Sequence, residues 1–291
     1  MNKEIALIIA HYGSQEVIDR CIQSIEKDLH AELRVIVVNN SAKELTGKDE
    51  DKLLVVNANK NQGYAAACNT GILKAQELGI NNFILCNNDV VFTKDFFSIF
   101  LPRVKELEYP VIVAPKINQV KNPDIVWYSG GRINKFRLEG VHLTNQQKCG
   151  FVETEFISGC CFYISQDAFK ILGLLDINYF LYDEDLDYSL RAKAKGVKLL
   201  VDTNVIIFHD ESSTTKDYIR IGKYKSEIYF HKLRSKVLVA RKYAEFPYSM
   251  FIWVFIFYKY VKYIILFFMR GEFYYVMKLI RSTKDIRLHR M

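Results

Sequence analysis

Two acidic elements carry residues able to do chemistry. Tyr182-Asp183-Glu184-Asp185-Leu186-Asp187-Tyr188 places four acids in five positions. Like charges this close repel, so they need a helix N-terminus, a cation or raised pKa values to coexist. Leu186, Leu190 and Arg191 mark a helix beginning here, which puts Asp185 and its neighbours in its first turn. A carboxylate presented into a cleft from such a turn suits proton removal from a hydroxyl group. Acids that simply end a helix in water would have the same spacing. The second element is Asn87-Asn88-Asp89, directly after the apolar residues 83–86. Asp89 is the only acid at the end of that run, and two asparagines beside it offer neutral oxygens. No G-x-G-x-x-G follows the first apolar run, and no G-x-x-x-x-G-K-[ST] occurs. A diphosphate bound here would need a divalent cation instead. One carboxylate plus waters and phosphate oxygens is a normal magnesium arrangement. His209 follows apolar 205–208 and precedes Asp210 and Glu211. It is either a structural histidine or, beside a metal-bound diphosphate, a ligand or phosphate contact.

These residues need elements to position them. Apolar runs at 5–9, 35–38, 53–56, 83–86 and 111–114 read as strands, the first buried on both faces. Helical spacing at 15–25, 65–78 and 95–107 separates them, with Gly79 where a helix would stop. This alternation predicts an α/β fold with a doubly wound, mostly parallel sheet, which binds ligands at the carboxyl ends of its strands. Three such ends are polar: Ala10-His11-Tyr12-Gly13, Asn39-Asn40-Ser41 and Asn87-Asn88-Asp89. Each alone is ordinary turn chemistry; together they predict a nucleotide edge. In the segment 59–71, Asn61 and Gly63 precede a helical turn of small residues, which permits close backbone approach and attracts an anion. Asn69 sits inside that helix, where asparagine is a poor former, and implies a polar contact. The alternative is a helix packed tightly on the sheet. Beyond residue 116 the chain is rich in Gly, Asn and short β-like runs at 125–128 and 162–164. Helices are expected at 166–172 and 186–195, and strands at 197–201 and 205–208.

The 291 residues are 50% hydrophobic and 25% charged, enough for a large ordered domain plus an appendage. The net charge of +7 hides an asymmetry: from Thr215 onward there are 17 Lys or Arg against 5 Asp or Glu, so residues 1–214 sum to −5. The composition changes at 211–216, which suggests a catalytic domain over 1–214 and a basic, aromatic helical region over 215–291, broken at Pro247. The run 248–268 is long enough to span a bilayer, but Lys259 and Lys262 are costly at its centre. Lys259, Lys262 and Arg270 share one narrow helical face. An interfacial helix on an anionic membrane fits better than a span, with Arg281, Lys284, Arg287 and Arg290 near the lipid. A packed helix or a homodimer interface is the alternative. Nucleic acid is not expected, because nucleic-acid binders intersperse aromatics with polar residues on a sheet. Of six cysteines none form C-x-x-C, so zinc is not expected. Cys68 and Cys86 read as buried free thiols, which points to a reducing compartment. The N-terminus reads as a strand rather than a signal peptide.

Taken in order, these segments resemble the family-2 glycosyltransferases of the GT-A fold over about residues 4–215. The matching pieces are His11-Tyr12, V-V-N-N-S at Asn39, N-x-N-x-G-Y-A-x-A-x-N-x-G at 59–71 and Asn87–Asp89. W-Y-S-G-G at 127–131, I-S-G-C-C at 157–161, Y-x-E-D-x-D at 182–187 and His209 complete the order. The resemblance implies inverting transfer from a nucleotide-diphosphate sugar with bound Mg2+ or Mn2+. Asp185 matches the general base, and Asp89 the last acid of the metal-binding D-x-D, with His209 beside it. His11, Tyr12, Asn39, Asn61, Gly63, Asn69, Asn87 and Asn88 would contact the donor. Gly159, Glu184 and Asp187 would form the acceptor side or rim. Asn39 stands where the family has Asp, Gly13 where it has Asn, and Asn87 where D-x-D has its first acid. W-Y-S-G-G and I-S-G-C-C look most like rhamnosyltransferases that use dTDP-rhamnose. A lipid-linked saccharide acceptor at the cytoplasmic face of the cell membrane, as in bacterial surface polysaccharide synthesis, would suit the basic tail. A sugar nucleotidyltransferase would need an early Gly-rich basic loop, which residues 10–15 lack. A non-catalytic sugar-nucleotide-binding scaffold would not need Asp89 and Asp185.

Overall fold

The computed structural model describes residues 4–26, 30–41, 43–45, 52–58, 60–210 and 224–285, with the side chains of 224, 225 and 282–285 left aside. The composition change at 211–216, Glu211, Asn59, Arg287, Arg290 and the Lys284 side chain lie outside this set.

The continuous apolar runs become the buried strands of a mixed sheet. β1 (Ile5–His11), β2 (Leu33–Asn39), β3 (Leu53–Asn57) and β4 (Phe83–Asn87) lie parallel in the order β3-β2-β1-β4. Ile5 to Ile9 are all fully buried, as a strand covered on both faces requires. α1 (Gln15–Glu26) and α2 (Tyr64–Glu77) provide the crossovers. Gly79, at φ +78°, ends α2 as expected. A short β5 (Val90–Phe92) and α3 (Phe96–Lys105) lead into β6 (Val111–Gln119). β7 (Val126–Tyr128) pairs antiparallel with β6, and β8 (Gly131–Asn134) and β9 (Glu139–His142) form a separate hairpin. The rest of the main sheet is β10 (Phe151–Glu153), β11 (Cys161–Ile164) and β12 (Lys198–His209). β11 runs antiparallel between β4 and β6, and β12 runs parallel to β6. The two strands expected at 197–201 and 205–208 are one strand, β12, with a register shift between Asp202 and Ile206. The polar Asp202-Thr203-Asn204 stretch interrupts the apolar pattern but is absorbed as a bulge. Asp202 is fully buried there and takes a two-pronged ion pair from Arg103 of α3 (Nε 2.6 Å, Nη2 3.0 Å).

α4 (Gln166–Leu172), capped by the Ser165 hydroxyl, precedes α5 (Glu184–Ala194), on which the acidic element lies. The C-terminal region is α6 (Tyr224–Tyr243), α7 (Tyr248–Met269) and α8 (Phe273–Asp285). The break at Pro247 was expected; Gly271, at φ +68°, adds a second. These helices share a core with residues outside them. Phe230, Leu233 and Leu238 of α6 and Ile252, Ile256 and Phe267 of α7 join Leu138, Phe156, Tyr179 and Leu186. The buried residues of α7 recur at helical spacing along one stripe, and the other flanks are exposed. Among the described residues α7 is the one helix long and apolar enough to cross a membrane, with only 22% of its most apolar stretch buried. Lys259 turns inward to Glu139 (3.3 Å), whereas Lys262 and Arg270 are exposed. Cys68 and Cys86 are free and buried.

Candidate active site

The strand ends converge on a cavity of about 930 Å³. His11 and Tyr12 reach it from the end of β1, Asn87, Asn88 and Asp89 from the end of β4, and His209 from the end of β12. Asn61 and Gly63 enter from the start of α2, Gly159 from before β11, and Glu184 and Asp185 from the first turn of α5. Thus Asp89 and Asp185, 96 residues apart, line one cavity.

Asp185 is anchored by backbone. Its Oδ2 accepts from Gly159 N–H (2.9 Å) and its Oδ1 from Leu186 N–H (2.8 Å). Tyr64 O–H donates to the Gly159 carbonyl (2.7 Å) and steadies that turn. Burial pushes Asp185 up to about 6, against the opposing backbone hydrogen bonds. Burial, and then the Asp185 charge, pushes Glu184 well above the usual glutamate range. Asp185 is therefore the acid poised to be ionised and basic at neutral pH. The turn that presents it is strained: Tyr182 (φ +69°) and Asp183 (φ +62°) are consecutive non-glycine residues in the left-handed region. α6 holds this segment down. Ser235 Oγ donates to the Leu181 carbonyl (2.9 Å), and Arg234 donates to the Asn178 carbonyl. The buried Lys236 ammonium donates to Asp183 (3.2 Å) and to the Leu138 carbonyl (2.8 Å).

At the strand-end wall, Asp89 Oδ1 lies 3.2 Å from His209 Nε2, both residues being more than nine-tenths buried. The Trp127 ring packs against His209 (4.6 Å between centroids). A carboxylate oxygen beside an imidazole nitrogen is a donor set a divalent cation accepts. No group of three or more His, Cys, Asp or Glu able to hold a metal occurs among the described residues. Two protein ligands fit a cation that keeps waters and takes its remaining oxygens from phosphate.

His11 has a defined role in this wall. The Asn88 amide N–H2 donates to the Tyr12 carbonyl (3.2 Å), which fixes its orientation, and lies 2.9 Å from His11 Nδ1. Nδ1 therefore accepts. Burial lowers His11 to about 4, so the ring is neutral and carries its proton on Nε2. That Nε2 is buried with no hydrogen-bond partner among the described residues. It is a neutral donor available to a ligand.

Three expected site residues do something else. Asp187, expected at the acceptor rim, does not line the cavity. It is 1% exposed and binds Arg191 (3.0 Å), Lys242 (2.8 Å) and Tyr243 O–H (2.9 Å). Asn69, expected at the donor, is a buried clamp: its amide donates to the Leu175 carbonyl (2.8 Å) and accepts from the Leu175 N–H (3.0 Å). Asn39 also lies outside the lining, its amide spent on Lys43 O, Asn57 Oδ1 and Ser41 N–H. Its neighbour Asn40 is in the lining instead, binding Asn61, Gln62 and Gly63. Side chains alternate at a strand end, so adjacent asparagines point apart. The small residues of α2 serve packing. A Cβ on Gly71 would lie 2.3 Å from Ile8, and one on Gly63 (φ +89°) would lie 2.4 Å from the Phe180 carbonyl. The close approach expected for an anion is thus made to the sheet and to the 180 backbone. Sequence reasoning missed His142 and the α6–α8 contribution of Glu227, Ile228, His231 and Tyr275, all of which line the cavity. No motif marks them: the C-terminal helices read as an interfacial membrane segment or as packed helices, and neither reading points to particular cavity residues.

The glycosyl transferase family 2 model matches residues 6–173, more than half of the chain. The chain belongs to that family. A low-salt glycan biosynthesis hexosyltransferase, Agl10 of Haloferax volcanii, is 23% identical over 68% of this chain and 64% of its own length. The chain thus spans less than two thirds of that relative. A dTDP-rhamnosyl transferase, RfbF of Shigella flexneri, is 22% identical over 83% of this chain and 81% of its own. The fold is GT-A. GalNAc-T7, solved with UDP, GalNAc and Mn2+, superposes with a TM-score of 0.57 at 17% identity, covering 85% of this chain and 53% of that one. The mannosyltransferase PcManGT of Pyrobaculum calidifontis, solved with GDP-Man and Mn2+, gives 0.51 at 13% identity, covering 98% and 76%.

Proposed function

We propose that this glycosyltransferase inverts the anomeric centre as it moves a hexosyl residue from a nucleotide-diphosphate sugar to a saccharide hydroxyl. The observation that carries this reading is the sharing of one cavity by the anchored Asp185 and the Asp89–His209 pair. Asp185 removes the hydroxyl proton as the acceptor oxygen bonds to the anomeric carbon. The bond to the diphosphate breaks from the other face, and the diphosphate leaves with the electron pair. A Mg2+ or Mn2+ ion held by Asp89 and His209 would neutralise charge on the departing diphosphate. His11 Nε2–H and the Asn88 region would bind the donor's polar groups.

dTDP-rhamnose is the first donor to test. The name of the Shigella relative and the W-Y-S-G-G and I-S-G-C-C elements agree on it; a UDP-sugar is the second. A thermal-shift panel of dTDP-rhamnose, UDP-glucose, UDP-N-acetylglucosamine and GDP-mannose, with and without manganese, tests this reading. A donor that binds the native state raises the melting temperature, more so with manganese. A panel with no shift anywhere sinks it.

The acceptor is read as lipid-linked, with the protein peripheral on the cytoplasmic face of the membrane. Support comes from α7 and α8, where Val254 (65%), Phe257 (67%), Phe268 (64%) and Tyr274 (69%) are exposed beside exposed Lys262, Arg270 and Arg281. Co-sedimentation with phosphatidylserine vesicles, abolished in Val254→Asp/Phe257→Asp, is the expected result. A concentration-dependent dimer in solution with no vesicle binding would assign the same face to a second copy instead.

A further inference from the structure

We propose that the acceptor sugar is held on the helical wall of the cavity, between Glu184 and the Glu227–His231 pair, against the rings of Phe180 and Tyr275. This rests on the transferase reading above and names its acceptor subsite. Glu184 Oε2 and His231 Nδ1 are both buried with no hydrogen-bond partner among the described residues, and both residues line the cavity. Buried polar atoms are almost always satisfied, so such atoms in a cavity wall point to a missing ligand. The other ring nitrogen of His231 is already engaged. Nε2 lies 3.0 Å from Glu227 Oε1, and a carboxylate there can only accept, so Nε2 donates. Lys278 Nζ donates to the same oxygen (2.7 Å) and pins the carboxylate. Nδ1 is thus the atom left to meet a ligand. The ring itself is held flat on Phe180 (4.5 Å between centroids, 20° between planes).

The chemistry of this wall selects the ligand class. Glu184 and Glu227 offer carboxyl oxygens rather than a positive charge, and among the described residues Lys278 is committed to Glu227 while Lys232 lies over the Tyr182 ring. A phosphate therefore belongs at the Asp89–His209 end. A neutral ring with several hydroxyls fits here: each hydroxyl both donates and accepts, and its apolar face can lie on an aromatic wall. Glu184 and Asp185 line the same cavity, so a hydroxyl bound to Glu184 shares that cavity with the proposed base.

The test uses the full chain, manganese, and dTDP, UDP and GDP as nucleotide probes. Saturation-transfer NMR is run with the methyl glycosides of rhamnose, galactose, glucose and N-acetylglucosamine. With nucleotide bound, at least one methyl glycoside should bind the wild type. His231→Phe keeps the ring on Phe180 but removes both nitrogens, and should weaken glycoside binding about tenfold or more while leaving nucleotide affinity unchanged. Glu184→Met, similar in volume without polar atoms, should give the same split, so a folding failure at one position leaves the other to decide. Equal glycoside binding by the variants, or none by the nucleotide-bound wild type, overturns the subsite. A wild type that binds none of the three nucleotides overturns the transferase reading and this inference with it.

Discussion

One wall of the cavity is made of turns at strand ends, with His11, Asn88, Asp89 and His209, and the other of helix flanks, with Glu227, Ile228, His231 on α6 and Tyr275 on α8. The strand-end wall is stiff because its backbone belongs to the sheet, whose hydrogen bonds set where each turn begins. The helical wall depends on side chains that reach across long sequence separations: Lys236 to Asp183, Lys242 to Asp187 and Lys278 to Glu227. Asp185 stands at their junction, taking a hydrogen bond from Gly159 on one side and sitting after a turn clamped by α6 on the other. On the proposed mechanism, the contrast teaches that the donor side is built into a sheet, while the aim of the proposed base, Asp185, depends on the C-terminal helices.

The largest effect should come from Asp185→Asn, which keeps the shape and removes the base. Turnover should fall by about 10²–10⁴-fold, with nucleotide binding intact by titration. Retained turnover would assign the base elsewhere. Asp187→Ala, two residues on, should act on the fold instead. Removing one member of a buried ion-pair cluster costs about 3–5 kcal/mol, so the melting temperature should drop sharply. Loss of turnover in Asp187→Ala without any melting change would put Asp187 back in the chemistry. Lys236→Met breaks the buried pair with Asp183, so it lowers the melting temperature as well as freeing the strained turn at Tyr182 and Asp183. A kcat loss of about tenfold or more, with the donor KM unchanged, is expected from a misaimed base; a shift confined to the donor KM would break the proposed division of labour. The smallest effect is in pH. Burial raises Asp185 to about 6, and the base must be ionised, so activity should fall as pH drops through about 6. It should then decline roughly tenfold per unit below, as the ionised fraction does. A flat profile from pH 7 to 5 argues against Asp185 as the titrating base.

The strands, the polar strand ends and the acid-bearing helix start were legible because each rests on local periodicity. Direction was harder to read. Asp185 and Asp187 are both acids on one helix, but two residues turn it by about 200°, so they face opposite ways and only one meets the cavity. The same geometry separates Asn39 from Asn40 at a strand end. Asn69 looked like a ligand contact because its type is unusual in a helix, yet its partner is the backbone of Leu175, 106 residues away. Long-range partners of this kind leave no spacing to find. Glu227 and His231, at i and i+4 on α6, have a spacing that reads as an ordinary surface pair until the helix is docked against Phe180.

The paired left-handed residues at Tyr182 and Asp183 carry a consequence for biosynthesis. Each costs about 1–3 kcal/mol to hold, and the groups that hold them, Ser235 and Lys236, lie more than fifty residues downstream. A ribosome-bound chain therefore presents the parallel strands β1–β4 before the helix that holds the turn ahead of Asp185 has been made. On the proposed mechanism, transfer waits until α6 has docked and fixed that turn.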